Sequence, residues 1–446
     1  MDNYKYKIDH CRVVYILLNR SRVLSLSGKN ERALADLGRG LAISGKLGDQ
    51  KGQGECWLEM GDVYSELGNH DLMKAAAEKS LLIYQALGDR KGQAESLNNL
   101  GLVCTRKGDY AGGLEHYGRA LAIHQELGNQ PGQSVSLGNI GVVHKNLGDY
   151  HKALEHYERS LEMCEVEDLV GQALILNNIG DVHNSLGDFS RALECHNRAL
   201  GIRKKIGDRF GQAMSLNNIG VVNDRLGNYL RTLESHRLSL KIRGELGDRR
   251  GQAMSLNNIG TVHNGLGDYP TALDHFTRSL KIREELGDRL GQANTLNNMG
   301  RACLEQGRLG EAREHLARCR DIAAGIRAKE TLRRVSTSFG MLELAEGHRE
   351  EAVEYAETAL RLAGELNSRA GRAEALLILA RIWKDESRFG EAVTIYRELG
   401  QQPALANSLY YWGQVMGSVT KLKEARDIYD RLGIQNRVDK VDRALA

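Results

Sequence analysis

A segment of ten residues, GQAMSLNNIG, occurs twice in this chain without a single change, at 211–220 and at 251–260. Altered copies of it end at Gly101, Gly141, Gly180 and Gly300. The position of the last glycine recurs every 40 residues from Ser21 to Ala380, apart from one interval of 39, and a last interval of 33 leads to Gly413. A chain with such a period stacks its units, here eleven, instead of closing a single core.

Each unit contains two apolar patterns of helical period that are separated by a short break. In the unit around residue 260, the patterns are SLNNIGTVHNGL and TALDHFTRSLKIREEL, with Gly267, Asp268, Tyr269 and Pro270 between them. Gly267 suits the left-handed backbone that closes a helix, Asp268 can cap the next helix, and Pro270 is tolerated in its first turn. The same Gly-Asp pair separates consecutive units. The sequence therefore predicts a helical hairpin in every unit.

Charge and composition argue against several classes of partner. The chain has 61 basic and 58 acidic residues, so its net charge of +3 creates no overall field toward nucleic acid or an anionic membrane. The apolar run 13–18 is too short to span a membrane and lacks the layout of a signal peptide. Seven cysteines without a CxxC pair are typical of free thiols in a reducing compartment. We therefore expect a cytoplasmic protein that binds neither nucleic acid nor membrane.

The spacing of residue types within the unit is informative about its family. An apolar residue stands four positions before a glycine, a Gly-Asp-Tyr turn follows, and an alanine and an aromatic residue come next. In one unit these and related positions are Leu256, Ile259, Gly260, His263, Gly267, Ala272, Phe276 and Ser279. The pattern resembles the tetratricopeptide repeat. The resemblance implies an all-α, right-handed superhelical solenoid of antiparallel helix hairpins, with about eleven repeats.

The unit departs from the common form of this repeat in two respects. It has 40 residues, whereas the common repeat has about 34. In addition, Gly-Asp-Arg-x-Gly-Gln stands in place of the proline near the end of the common repeat. Such longer repeats look like those of Pins-type adaptors, kinesin light chains and many bacterial signalling proteins. The likeness transfers the fold but not the identity of a partner.

Composition divides the chain near residue 300. Residues 1–300 contain the regular array, with an atypical first unit, whereas residues 301–446 are richer in Ala, Glu, Leu and Arg and have weaker Gly-Asp turns. The segment 318–336 has no clean turn signal. We expect divergent repeats after residue 300 and a capping helix at 437–446. The polar face of that helix, which we expect to meet water, has Arg437, Asp439, Lys440 and Asp442.

Paired asparagines recur on the first helix of the hairpins. In tetratricopeptide repeats this helix lines a concave groove, and primary amides both donate and accept hydrogen bonds. The resemblance therefore implies a ladder of amides that binds the main chain of an extended peptide. In the alternative interpretation, one Asn of each pair bonds the neighbouring helix and only stiffens the solenoid. The predicted groove amides are Asn98, Asn139, Asn177, Asn178, Asn217, Asn218, Asn257, Asn258 and Asn297.

Two further positions of the first helix are predicted to line the groove. Three residues before the first Asn position stand Val135, Leu174, Met214 and Met254. Four residues after it stand Val142, Asp181, Val221 and Thr261. The middle of the groove is thus apolar with amides beside it, and the adaptable Met side chains suit a loosely fitted partner. It lacks the Lys and Arg residues with which some tetratricopeptide proteins hold a C-terminal carboxylate.

Recurring histidines and arginines have simple explanations. We interpret five recurring histidines as planar side chains that fill space between helices, and not as metal ligands. They are His144, His183, His263, His196 and His236. We assign to a solvated outer face the basic residues of the second helices, among them Arg203, Arg243 and Arg283. No nucleotide-binding or catalytic motif is recognisable, so neither enzymatic activity nor a cofactor is predicted.

These patterns favour a non-enzymatic scaffold that binds a peptide or helix of a partner protein in its concave groove. The alternative is a regulatory or sensor subunit that controls a separate signalling or defence enzyme, such as a protease, cyclase or kinase, through its ends or outer face. A hydrolase with a His/Cys metal site is a third hypothesis. Because adjacent units are nearly identical, a long or regular partner is favoured over a small molecule. Self-association through the exposed ends of a solenoid is also possible.

Overall fold

The computed structural model describes residues 2–26 and 29–446, without the side chains of residues 2–11 and 26. This part of the chain forms 23 α-helices and no strand. The helices are α1 (Asp2–Leu26), α2 (Asn30–Leu47), α3 (Gln50–Glu66), α4 (His70–Leu87), α5 (Arg90–Arg106), α6 (Tyr110–Glu126), α7 (Gln130–Asn146), α8 (Tyr150–Met163), α9 (Leu169–Leu186), α10 (Phe189–Lys205), α11 (Arg209–Leu226), α12 (Tyr229–Glu245), α13 (Arg249–Leu266), α14 (Tyr269–Glu285), α15 (Arg289–Glu305), α16 (Leu309–Gly325), α17 (Lys329–Glu346), α18 (Arg349–Glu365), α19 (Arg369–Trp383), α20 (Glu386–Glu398), α21 (Gln402–Met416), α22 (Val419–Arg431) and α23 (Gln435–Leu445).

The helices form two compact units, which divide between Val182 and His183 within α9. In the first unit the hairpins are α1–α2, α3–α4, α5–α6 and α7–α8. In the second unit they run from α11–α12 to α21–α22, and α23 packs on α22. The predicted all-α solenoid of helix hairpins is confirmed. Twenty-three helices in the described chain correspond to eleven repeats of two helices and one terminal helix.

The turns follow the predicted Gly-Asp chemistry. Gly267 adopts a φ of 81°, which is the left-handed region that favours glycine. The next residue, Asp268, is the N-cap of α14 and accepts a hydrogen bond from the backbone N–H of Thr271 at 3.3 Å. Between consecutive repeats, the side chain of Asp248 accepts a hydrogen bond from the backbone N–H of Gly251 at 2.8 Å. These turns are therefore closed by one residue that ends a helix and one that starts the next. At the N-caps Asn228, Arg308 and His348, by contrast, the side chain forms no capping hydrogen bond.

One turn in the segment 318–336 has neither of these residues. Helix α16 ends at Gly325, and Arg327 adopts the left-handed region with a φ of 54°. Ala328 is the N-cap of α17 and has no side chain that can cap it. This turn between two repeats therefore has neither a glycine nor a capping side chain, and α16 and α17 are held together by their packing.

The recurring glycine of the first helix is required by close packing. A Cβ atom on Gly260 would lie 2.7 Å from the ring of Phe276 and 3.1 Å from the carbonyl oxygen of Ala272. At the equivalent position of the preceding repeat, Gly220 faces the ring of His236. His236 is only 2% exposed, and burial lowers its pKa to about 4. This histidine thus fills the space that Phe276 fills in the next repeat.

The assignment of Arg203, Arg243 and Arg283 to a solvated outer face is wrong, because they are 2%, 3% and 8% exposed. Arg243 donates a hydrogen bond from Nη1 to the carbonyl oxygen of Gly251 at 2.7 Å. A Cβ atom on Gly251 would lie 2.6 Å from Cδ of Arg243. The guanidinium of Arg243 therefore bonds the carbonyl oxygen of Gly251, and the arginine side chain occupies the space that a side chain at position 251 would fill. This contact explains why Gly-Asp-Arg-x-Gly-Gln follows each of the three arginines.

The C-terminal repeats share a core with the middle repeats of the second unit. Ile259 and Val262 of α13 belong to the same hydrophobic cluster as Leu376, Tyr396, Tyr429 and Val438. Arg437 on α23 is 11% exposed and pairs with Glu305 of α15 at 3.0 Å. The expectation that Arg437 meets water is therefore wrong, although Asp439 and Asp442 are exposed. Helix α23 thus buries one side against other first helices of its unit.

Candidate functional site

A groove of about 540 Å³ lies on the first helices of the second unit. We call it the amide groove. It contains four of the residues predicted from the sequence, which are Met254, Asn257, Asn258 and Thr261. Its lining also includes Asp224, Tyr229, Asn264, Asn294, Asn298, Arg301, Arg334 and Pro403. The groove therefore combines predicted residues with side chains from the divergent repeats after residue 300. Because Arg301 and Arg334 are among the latter, the expectation that the groove lacks Arg is wrong.

The apolar residues that precede the Asn pairs are exposed in both units. Val135 and Leu174 in the first unit are 56% and 51% exposed. Met214 and Met254 in the second unit are 36% and 37% exposed. At the position after the Asn pairs, Thr261 is exposed, and the partly buried residues are Val142, Asp181 and Val221. Exposed apolar side chains at one recurring position are available for contact with a partner.

The first Asn of most pairs is buried and bonds the next repeat. Oδ1 of Asn217 accepts a hydrogen bond from Nδ2 of Asn258 at 2.9 Å, and Oδ1 of Asn257 accepts from Nδ2 of Asn298 at 3.2 Å. Two further first Asn residues accept from a serine hydroxyl of the next repeat. Oδ1 of Asn98 accepts from Oγ of Ser136 at 3.1 Å, and Oδ1 of Asn297 accepts from Oγ of Ser338 at 3.0 Å. We call this series the amide ladder. It ties neighbouring first helices together, as in the alternative interpretation of the Asn pairs.

The ladder uses only part of the hydrogen-bonding capacity of these amides. Within the described chain, Nδ2 of Asn257 and Oδ1 of Asn258 have no partner, and both side chains are partly exposed. Each amide thus keeps one polar end available in the groove. The remaining predicted amides with partly exposed side chains are Asn139, Asn178 and Asn218, whereas Asn177 is 7% exposed.

A cavity of about 210 Å³ adjoins the amide groove. We call it the arginine cavity. The two spaces share Tyr229, Asn264, Gly265, Arg301, Arg334 and Pro403. The other walls come from α15, α17 and α19 to α23, and they include Glu305, Glu374, Arg381, Tyr411 and Arg437. Part of this lining follows the repeat, since Arg301 and Arg381 stand at the offset of Thr261 and Arg334 stands at that of Met254. Sequence reasoning missed the space because these offsets were not continued through the divergent repeats after residue 301.

Charged groups of opposite sign lie in different parts of this lining. Burial lowers the pKa of the Arg334 guanidinium, and the nearby positive charge of Arg301 lowers it further. In the groove, burial raises the pKa of the Asp224 carboxyl to about 6. Asp224 forms no hydrogen bond or ion pair with a described side chain. The surface therefore has an unpaired carboxylate on α11 and unpaired guanidinium groups on α15 and α17.

The five recurring histidines named from the sequence lie outside any cluster of three potential metal ligands in the described residues. The one group of three such ligands in that part of the chain is Glu343, Glu346 and His348. Arg313 forms ion pairs with both carboxylates, so they already have a counter-charge. His263 lies 3.1 Å from Asp268 and stacks on His275. These contacts are those of structural side chains.

Profiles of the tetratricopeptide repeat match most of the sequence. One matches residues 53–112, 92–165, 171–245 and 251–324, and a second matches residues 337–406. The chain therefore belongs to the tetratricopeptide repeat family. Membership supports a role in protein interaction, and no catalytic family is indicated. No curated protein matches the sequence.

Solved structures of low sequence identity share the fold. A Rap protein complexed with Competence and Sporulation Factor has a TM-score of 0.59 and 13% identity, and the match covers 79% of this chain and 99% of that one. The Rap conjugation regulator of plasmid pLS20, in complex with the Phr* peptide, has a TM-score of 0.53 and 13% identity, over 75% and 96% of the two chains. At these identities the likeness shows the fold alone.

A third structure combines this fold with another domain. It is a Signal Transduction ATPase with Numerous Domains from Pyrococcus horikoshii, which has a tetratricopeptide repeat sensor. The TM-score is 0.50 and the identity 15%, and the match covers 77% of this chain but only 52% of that one. Within the described residues, no helix is both long and apolar enough to cross a membrane.

Proposed function

We propose that the chain is a non-enzymatic interaction scaffold that holds an extended segment of a partner protein in the amide groove. The observation that carries this proposal is the combination of the exposed side chain of Met254 with the half-used amides of Asn257 and Asn258 in one groove. The volume of about 540 Å³ falls within the usual range of ligand sites.

Main-chain groups of the segment bond the free ends of the amides. Nδ2 of Asn257 donates to a carbonyl of the segment, and Oδ1 of Asn258 accepts from an N–H. Because the other ends of these amides are fixed by the ladder, their side chains are held in place before the segment binds. Burial of the exposed part of Met254 supplies apolar contact. The complexes of Rap proteins with a signalling factor and with a peptide are consistent with such a use of this fold.

Selection of peptides tests the proposal with the full-length chain. A library of random displayed peptides is selected against the purified protein, and the affinities of recovered peptides are measured by fluorescence anisotropy. Met254→Lys places a charge in the groove and is expected to weaken binding about tenfold or more, which corresponds to about 1.4 kcal/mol. Leu230→Lys is the matched control, because Leu230 is an 86% exposed residue on the second helix α12.

The two variants introduce the same charge in place of an exposed apolar side chain. Binding in the groove predicts a loss with Met254→Lys and an affinity within twofold of wild type with Leu230→Lys. If both variants bind equally well, or only Leu230→Lys loses affinity, the segment binds elsewhere and the proposal is wrong.

A regulatory sensor is the second candidate function, and the packing of the C-terminal repeats favours it. In the second unit, α23 and α15 are joined by the ion pair of Arg437 and Glu305 beside the groove. A segment that enters the groove changes the surroundings of this contact. Hydrogen exchange of α19–α23 with and without a selected peptide separates the candidates. A change in exchange there supports sensing, and protection confined to the groove helices supports a passive scaffold.

A further inference from the structure

The charges that line the arginine cavity do not balance. Two carboxylates face four guanidinium groups, and the residues concerned are Glu305, Glu374, Arg301, Arg334, Arg381 and Arg437. Since the walls restrict access of water, the excess positive charge is screened less than on an open surface. A counter-charge inside the cavity is therefore favourable.

Both carboxylates already form ion pairs with other arginines. Glu305 pairs with Arg437 at 3.0 Å. Glu374 pairs at 2.8 Å with Arg333, which also binds Glu330 at 2.7 Å. Burial raises the pKa of the Glu374 carboxyl, but the positive charges of Arg333, Arg301 and Arg334 together outweigh it and hold the pKa below its usual value, so this group stays ionised.

Three of the four guanidinium groups form no ion pair with a described carboxylate, and they are those of Arg301, Arg334 and Arg381. Arg334 donates from Nη2 to Oδ1 of Asn298 at 3.2 Å, and its Nη1 lies 3.5 Å from Oδ1 of Asn294. These contacts orient the side chain, but neither is an ion pair. Arg301 is exposed and has no ion pair with a described residue. Its neighbour Arg381 differs, since it lies 4.2 Å from the ring of Tyr411.

We propose that Arg301 and Arg334 form an anion-binding site, which receives a carboxylate of the segment held in the amide groove. Planar guanidinium groups bind carboxylates with paired hydrogen bonds. Both residues line the groove as well as the cavity, so an acidic group reaches them from the groove without crossing a wall. The assignment of the carboxylate to a bound segment rests on the proposed function. A free small anion is the other source of the same chemistry.

Peptide selection provides the first arm of the test. Libraries are selected against the full-length wild type and against Arg301→Gln, Arg334→Gln and the control Arg237→Gln. Arg301 is exposed and without an ion pair, so its replacement leaves the fold intact. Arg237 is exposed on α12 and away from the cavity. The wild type and Arg237→Gln are expected to enrich Asp or Glu, or a free C-terminus, and amidated peptides identify the terminal carboxylate.

The expected result is at least a tenfold weaker binding of the acidic peptides to Arg301→Gln and Arg334→Gln. Peptides that bind the groove but show no acidic preference, or that bind these variants as tightly as wild type, overturn the anion site while the scaffold function stands.

The second arm uses inorganic phosphate at constant ionic strength, with chloride as the reference anion. Suppose that no peptide is recovered, but phosphate raises the melting temperature of wild type and Arg237→Gln by several degrees more than that of Arg301→Gln. The anion site then stands, and its ligand is a free small anion. In that case the scaffold function fails instead. The anion site is overturned if no acidic peptide is recovered and phosphate shifts all three proteins equally.

Discussion

Replacing Asn258 by alanine removes the donor of a ladder bond whose acceptor, Oδ1 of Asn217, is 2.9 Å away. Asn217 is only 8% exposed, so water replaces the lost donor poorly. A shielded acceptor without a donor costs about 1–3 kcal/mol. Because Asn258 itself is partly exposed, we expect a value near the lower end, about 1 kcal/mol, in the local stability of α11 and α13.

The ladder bond is isolated by a double-mutant cycle. Native-state hydrogen exchange gives the opening free energies of α11 and α13 in wild type, Asn217→Ala, Asn258→Ala and the double variant. Since both single variants remove the same bond, the double variant should be more stable than the sum of the two losses predicts, by about 1 kcal/mol. Strictly additive losses, within about 0.3 kcal/mol, would refute the view that the ladder ties the first helices together.

Three further changes test the packing and electrostatics. Gly260→Ala places a Cβ 2.7 Å from Phe276 and should destabilise the second unit by about 1–3 kcal/mol in urea unfolding, whereas Gly265→Ala has no contact below 3.6 Å and should be neutral or stabilising. Burial raises the pKa of Asp224 to about 6, so the folded chain binds a proton more readily than the unfolded chain does. The melting temperature should therefore fall as pH rises from about 4 through about 6, and this fall should be absent in Asp224→Asn. Arg437→Gln leaves its carboxylate partner unpaired, so the amides of α23 should exchange roughly tenfold faster, and unchanged exchange would contradict the role of the pair.

The hairpins are predictable because their signals are local. Gly267 ends one helix and Asp268 caps the next, and both residues act on backbone groups only a few positions away. Repetition at 40 residues makes the same prediction many times. Where the local signal is missing, as at Arg327, the turn is set by the packing of two helices and could not be located from the sequence.

Burial of the repeated arginines depends on a neighbouring segment. Helical periodicity gives the face of α12 on which Arg243 lies, but not the turn that covers it. The turn covers it because Gly251 has no side chain and presents its carbonyl oxygen. A signal was present, since an aspartate follows Arg203, Arg243 and Arg283 after five residues and a glycine after eight. A solvated arginine needs no such fixed partners.

Only part of the candidate site could be predicted from the sequence. Met254, Asn257, Asn258 and Thr261 were found because they occupy fixed offsets in the repeat, and all four line the amide groove. The arginine cavity was missed because the groove offsets were not continued into the divergent repeats, where Arg334 stands at the offset of Met254 and Arg381 at that of Thr261. Its walls from α21 to α23 come from long-range packing that has no period. The sequence does not decide whether the paired asparagines bind a partner or the neighbouring helix, because each amide has two polar ends and the sequence does not assign their partners.

Photo-crosslinking tests the central claim, that a partner segment lies in the amide groove, most directly. Benzoylphenylalanine is placed at position 254 or at position 230 of the full-length chain, and each protein is irradiated with a peptide obtained by selection. If the segment lies in the groove, a crosslink is expected from position 254 and none from position 230. Met254 lines the groove, whereas Leu230 is an exposed residue outside its lining. A crosslink from position 230 alone, or none from position 254 while the peptide stays bound, would contradict it.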